Sequence, residues 1–169
     1  EYVIGALMEV YKELKVPAGE RVPAAKIHAI FDSKQQGSRT SQLLQYPFLG
    51  CKGAQGRHCA AAVLLLAKRL PGGDHAHAHL ICCLEALTRF YEIIMAHGSH
   101  FTEEAGREAE SSMWRFLAHY QWLAHISLEI KRRLFFVPPK LHYAAHVGML
   151  CKYYNPRSGW CYADEDYNK

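Results

Sequence analysis

The chain closes on Asp164, Glu165 and Asp166, three consecutive acids that follow the turn residues Pro156 and Gly159. Carboxylates of this kind hold divalent metal ions in two-metal phosphoryl transfer, where several acids converge from distant segments. The same triplet would also suit the first turn of a helix, where the macrodipole favours negative charge. No second acidic partner stands out elsewhere, so a metal site built on these acids would be incomplete within this chain. His142 and His146 form an HxxxH pair, the helical spacing that lets two imidazoles reach one metal, and Cys151 and Cys161 lie downstream as further ligands. Against Zn2+, no acid follows His142 and no second tight ligand pair appears, so a structural use of these histidines carries more weight. "HAHAH" places His75, His77 and His79 in a row, of which only His75 and His79 share a helix face. "HGSH" over 97–100 suits a helix end, and the adjacent Cys82 and Cys83 read as inert core. "GCKGAQGRH" is only loosely like a phosphate loop and lacks its spacing. No nucleophile elbow or Ser/His/Asp order can be read.

Lys52, Arg57, Lys131, Arg132, Arg133 and Arg157 sit where helix ends and loops are expected, the positions from which cations reach nucleic-acid phosphates. A solvated surface explains them about as well. The formal charge of +4 over 169 residues, with 20 Lys and Arg against 16 acids, permits a DNA partner without demanding one. The abundant aromatics fall at helical spacing, which points to core.

Half the residues are hydrophobic and 21% are charged, ordinary globular composition for one domain with a sizeable core. No apolar run is long enough to span a bilayer. The six cysteines form no CxxC pair and read as reduced thiols of an intracellular protein. The chain starts at Glu1 and stops where a helix is beginning, so we read it as a segment of a longer protein.

The apolar period is helical almost throughout, which predicts an all-α fold: an irregular bundle of five to six helices with no substantial sheet. The division expected is N-terminal helices and a loop over 1–50, a main helical bundle over 51–153 and an acidic C-terminal turn over 154–169. Ile4, Leu7, Met8, Tyr11 and Leu14 predict one face of a helix over 2–15. A second helix from Pro23 to about Lys34 would turn Ile27, Ile30 and Phe31 inward. Cys59, Val63, Leu66 and Leu70 predict a stripe on the next, over 54–70. Asp74 should cap a helix to about His97 with Leu80, Leu84, Leu87, Tyr91 and Ile94 inward, stopped by Gly98. Thr102 should cap a long helix that runs past Ile130 to Leu134. A last helix over 139–153 carries Leu141, Ala145, Gly148 and Cys151. "LFFVP" over 134–138 is the best strand candidate, and it is short.

Four stretches in order, "KGAQGRHCAAAVLLLAKRL", "LICCLEALTRFYEIIM", "PPKLHYAAHVGML" and "NPRSGWCYADEDYNK", carry a resemblance. Together they resemble the mobile-element-like reading frames of dinoflagellate genomes and, more distantly, the helical region of CACTA-type DNA transposases. The resemblance covers about residues 50–169. It implies a helical domain inserted before the last catalytic acid of an RNase H-like, DDE-type core, in the nucleus and with Mg2+ as the metal. Glu165 would be that acid, with Asp164 and Asp166 as neighbours, and His142, His146 and Arg157 structural or DNA-facing. The preceding acids and the sheet pattern of such a core are absent, so the segment would not be catalytic by itself. Two expectations result: a transposase-like, DNA-contacting helical insertion, or a non-catalytic interaction subunit or scaffold of a larger assembly that needs protein partners.

Overall fold

A run of apolar residues at helical spacing, punctuated by Pro, Gly and N-capping side chains, leaves the backbone little choice but helix. The structure is a computed structural model that describes residues 2–31, 53–132, 134, 135, 137 and 141–159, with backbone alone at 29–31. Among these residues are six α-helices: α1 (Tyr2–Glu13), α2 (Ala24–Phe31), α3 (Gly53–Arg69), α4 (His75–Ala96), α5 (Glu103–Glu129) and α6 (Leu141–Leu150). Short 3-10 turns cover Ala18–Glu20 and Pro156–Gly159. No strand occurs among the described residues, and 134, 135 and 137 of "LFFVP" are irregular. The all-α bundle expected from the sequence is the fold observed.

Both expected N-caps are in place. Asp74 Oδ1 accepts from His77 N at 2.7 Å, and Thr102 Oγ1 accepts from Ala105 N at 3.2 Å. Glu103 and Glu104 occupy the first turn of α5, where the helix dipole favours them.

Two clusters of buried side chains occur among the described residues. Ile4, Leu7, Val10 and Tyr11 of α1 pack with Val16, Val22, Ile27 of α2 and Ala62 of α3. Phe90, Ile93 and Ile94 of α4 pack with Ala105, Ala109, Met113 and Leu117 of α5 and with Cys151. The first cluster joins α1 and α2 to α3, because Ala62 of α3 closes it. Helix α3 also lies against α4, where Lys68 Nζ reaches Glu85 Oε1 at 2.7 Å.

Several expected faces are rotated or cut. Leu14 is exposed and Val10 buried in its place, since α1 ends at Glu13 and the following turn swings Leu14 outward. The α4 residues Leu80, Leu84, Leu87 and Tyr91 are only half-buried, and Cys83, Ala86, Phe90 and Ile93 are buried instead. Helix α4 is covered on two sides, by α3 and by α5, so its deepest line runs between the two stripes a one-sided helix would show. Helix α5 stops at Glu129, short of Leu134, giving a rod of about 40 Å at 1.5 Å per residue. Lys131 adopts φ 52°, and Ile130 and Leu134 are left exposed. Buried Ser127 makes that stop: its hydroxyl donates to the Arg132 carbonyl and accepts from Leu134 N at 3.0 Å and Phe135 N at 3.2 Å. The expected inward residues Ile30 and Phe31 have side chains outside the described set, as does the loop over 35–50.

Helix α6 crosses α5 at close range. A Cβ on Gly106 would lie 2.7 Å from the Cys151 carbonyl oxygen, and one on Gly148 would lie 3.0 Å from Met113 Cγ. Backbone cannot retreat as a side chain can, so Gly106→Ala should lower stability by about 1–3 kcal/mol despite alanine's better helix propensity. A methyl group added at Gly5 of α1 would meet nothing within 4 Å, and Gly5→Ala should hold or raise the midpoint. Thermal unfolding of the two variants side by side checks the close crossing.

Candidate functional site

A helix ends with four carbonyls that lack partners, and a buried helix end must find donors for them. At the C-terminal end of α4 the His97 ring donates from Nδ1 to the Ile93 carbonyl at 2.8 Å, and Asn155, far along the chain, serves the Ile94 carbonyl and the turn that follows. Asn155 is fully buried, and its Nδ2 donates to the carbonyls of Ile94 at 2.8 Å, His97 at 3.1 Å and Gly98 at 2.9 Å. Its backbone N–H donates to Ser99 O at 2.9 Å, and its Oδ1 accepts from Arg157 N at 3.0 Å. This displaces the expected role of Gly98, which has no positive φ. The "NPRSG" stretch is thus a plug for α4, with Pro156 buried beside it.

The plug gathers two of the cations singled out in the sequence. Arg157 Nη1 donates to Met95 O at 3.4 Å, and Arg57 Nη1 of α3 approaches Met95 Sδ at 3.0 Å. Both guanidiniums therefore flank one residue, and the α4 C-terminal carbonyls favour positive charge there. Arg57 is not a free cation, however. Its Nη2 lies 3.4 Å from Glu20 Oε2, and His58 Nε2 reaches the same oxygen at 2.6 Å. A carboxylate only accepts, so Nε2 carries the proton and offers nothing to Arg57 Nη2, 3.0 Å away. Glu20 holds both groups.

The remaining cations behave in two ways. Lys68 pairs with Glu85, and Arg69 pairs with both oxygens of Glu13 at 2.8 and 2.7 Å. Lys131 and Arg132 lie exposed on the turn that ends α5, with no ion pair among the described residues. Lys52 and Arg133 are outside the described residues, as are Cys161, Asp164, Glu165 and Asp166.

His142 and His146 are exposed neighbours on α6, with ring centroids 5.7 Å apart. Cys151 does not join them. It is buried, its thiol donates to Val147 O at 3.3 Å, and burial followed by the nearby Glu110 pushes its pKa up to about 11. It faces the α5 side while both imidazoles face outward, and no cluster of three potential metal ligands occurs among the described residues. Cys83 is likewise held as a thiol, pushed up to about 12 by burial and then by Cys82.

Two features are not foreshadowed in the sequence. His79 of α4 meets His119 of α5, Nδ1 to Nδ1 at 2.9 Å, and lies flat on Trp122 at 3.6 Å between centroids. The shared face of His75 and His79 is visible in the spacing, but nothing along the chain marks a partner 40 positions away. The second is an apolar groove of about 630 Å³ between α1, α3 and the start of α4. Cys59, Val63, Leu66 and Leu70 line it, so the expected α3 stripe is real: its half-buried Cys59, Val63 and Leu66 pack on the α1 cluster and also wall the groove. Tyr2 and Val3 on α1 and Leu70 after α3 are 85%, 58% and 57% exposed at its edge.

Asn155→Ala should cost about 2–3 kcal/mol by stranding the Ile94, His97 and Gly98 carbonyls. Asn155→Asp should cost more, because a carboxylate cannot donate to them and would face them with negative charge. Denaturant unfolding of the pair decides whether the amide protons or the packing matter. Native-state alkylation at pH 8 followed by mass spectrometry should label Cys82 well before Cys83 and Cys151, which stay protonated until the chain unfolds.

No protein-family model, curated protein or solved structure matches this chain.

Proposed function

We propose that the chain is a non-catalytic helical interaction module of a larger assembly, and that the groove between α1 and α3 receives an amphipathic helix of a protein partner. The groove carries this reading. Its α3 wall repeats at Cys59, Val63, Leu66 and Leu70, a line of about 16 Å at 1.5 Å per residue, and so matches some three turns of a docked helix. Ala6 and Leu7 of α1 form the facing wall. Apolar surface that no described residue covers, beside residues as exposed as Tyr2 and Val3, is costly unless another surface covers it.

The transposase-like reading, in which the chain is a helical insertion that contacts DNA, draws on Lys131, Arg132 and Arg157, the first two having no ion pair among the described residues. In that reading Glu165, with Asp164 and Asp166, would supply an acid to Mg2+ in a nuclear enzyme whose other acids lie elsewhere. Glu20 at Arg57, Glu85 at Lys68 and Glu13 at Arg69 weigh against a broad phosphate-binding face. Each partner would have to be displaced before a phosphate could bind.

The double variant Val3→Glu, Leu70→Glu tests the choice, since both side chains are exposed and surface changes of this kind shift stability by about 0.5 kcal/mol or less. On the module reading it keeps its thermal midpoint and loses at least tenfold in recovery of the partner that co-purifies with the unaltered chain. Undiminished recovery overturns that reading. Anisotropy titration of a duplex oligonucleotide between 50 and 200 mM salt tests the other. A DNA-contacting domain shows a steep negative slope that falls by about 1 for each phosphate contact removed in Lys131→Ala and Arg132→Ala.

A further inference from the structure

We propose that the His79–His119 contact is a proton-operated latch on the seam between α4 and α5, closed while the pair holds no more than one added proton and opened by the second. Two neutral imidazoles at 2.9 Å, Nδ1 to Nδ1, share one N–H: one ring donates and the other accepts. One further proton leaves the bridge intact, as an imidazolium donating to an imidazole. The next removes the last acceptor and sets two like charges at contact distance. The bridge must then break.

The surroundings set the direction. Trp122 lies parallel to His79, 7° between planes, and its face accepts a cation there. His119 is half-buried, and its pKa is held below 6.5 by burial first, then by His79 and by Arg115 one turn earlier on α5. From α4, His75 lies one turn before His79 on the same face, and the buried Cys83 thiol points at Phe116 O. From α3, Lys68 is held by Glu85. Helix α6 sits on the other face of α5, where its His142 shares a cavity with Trp114 and Gln121. Among the described residues, no acid is recorded in contact with either ring to neutralise a second proton on the pair.

Linkage gives the direction of the pH effect. A histidine whose folded pKa is depressed binds fewer protons folded than unfolded. Its stabilising effect is complete above about pH 6.5, is lost as pH falls from there toward the depressed value, and levels off below it.

The test is long-range proton–nitrogen NMR of the imidazoles in the full chain, titrated from pH 8 to pH 4, with tryptophan fluorescence in parallel. Expected are a shared Nδ1 proton at pH 8, a His119 titration below 6.5, and a fluorescence change that tracks the second protonation. His119→Gln, which still bonds but does not titrate, should abolish that change. Two independent titrations at the ordinary histidine value would overturn the proposal, as would a fluorescence transition that persists in His119→Gln. Because the NMR readout uses the unaltered chain, the proposal stays testable even where the variant fails to fold.

Discussion

The amide of Asn155, seated against the last carbonyls of α4, is the contact on which the rest of the bundle depends. A helix end facing protein instead of water must have its carbonyls met, and here one side chain meets the Ile94 carbonyl of α4 and the His97 and Gly98 carbonyls of the turn after it. In doing so it draws the chain after α6 back across the bundle. That return path places α6 over α5 at the separation only Gly106 and Gly148 permit. It buries Cys151 between them and brings Arg157 alongside Met95. The same stretch of sequence that looks like a signature for binding is thereby explained by architecture first.

Electrostatics on this molecule is mostly internal. Four cations at helix ends and faces are held by acids from other elements: Arg57 by Glu20, Lys68 by Glu85, Arg69 by Glu13, Lys152 by Glu110. Such exposed or half-exposed pairs add little stability individually, on the order of 0–1 kcal/mol. Their effect on function is larger, because they remove free charge from the surface. The turn after α5 keeps Lys131 and Arg132 without an ion pair among the described residues, and that turn owes its shape to Ser127 beneath it.

Apolar surface tells the opposite story. The α3 stripe is legible as amphipathic, and amphipathic helices bury their stripe against something. Ala62 is fully buried in the cluster with α1; Cys59, Val63 and Leu66 pack on that cluster only in part and, with the exposed Leu70, line a groove. Periodicity reports which residues avoid water and carries no information on whether the cover comes from the same chain. The stripe is therefore visible in the sequence and its use is not. Likewise Ile130 and Leu134 continue the α5 pattern in sequence but lie on either side of a left-handed residue, Lys131, which nothing in the pattern announces.

By itself the sequence determined that the chain is helical, where Asp74 and Thr102 begin two of its helices, and which residue types are present. These are matters of neighbours within four or five positions, where hydrogen bonding and side-chain spacing act locally. Only the tertiary structure decided that Asn155 braces the turn after α4, that His79 meets His119, that Cys151 turns away from His142 and His146, and that Arg57 answers to Glu20. Each of these joins residues whose separation along the chain carries no signal, or depends on which side of a helix its neighbour happens to cover. Distance in space, set by how α3, α4, α5 and α6 pack, is what converts a roster of histidines, cysteines and arginines into plugs and pairs, and an apolar stripe into the wall of a groove.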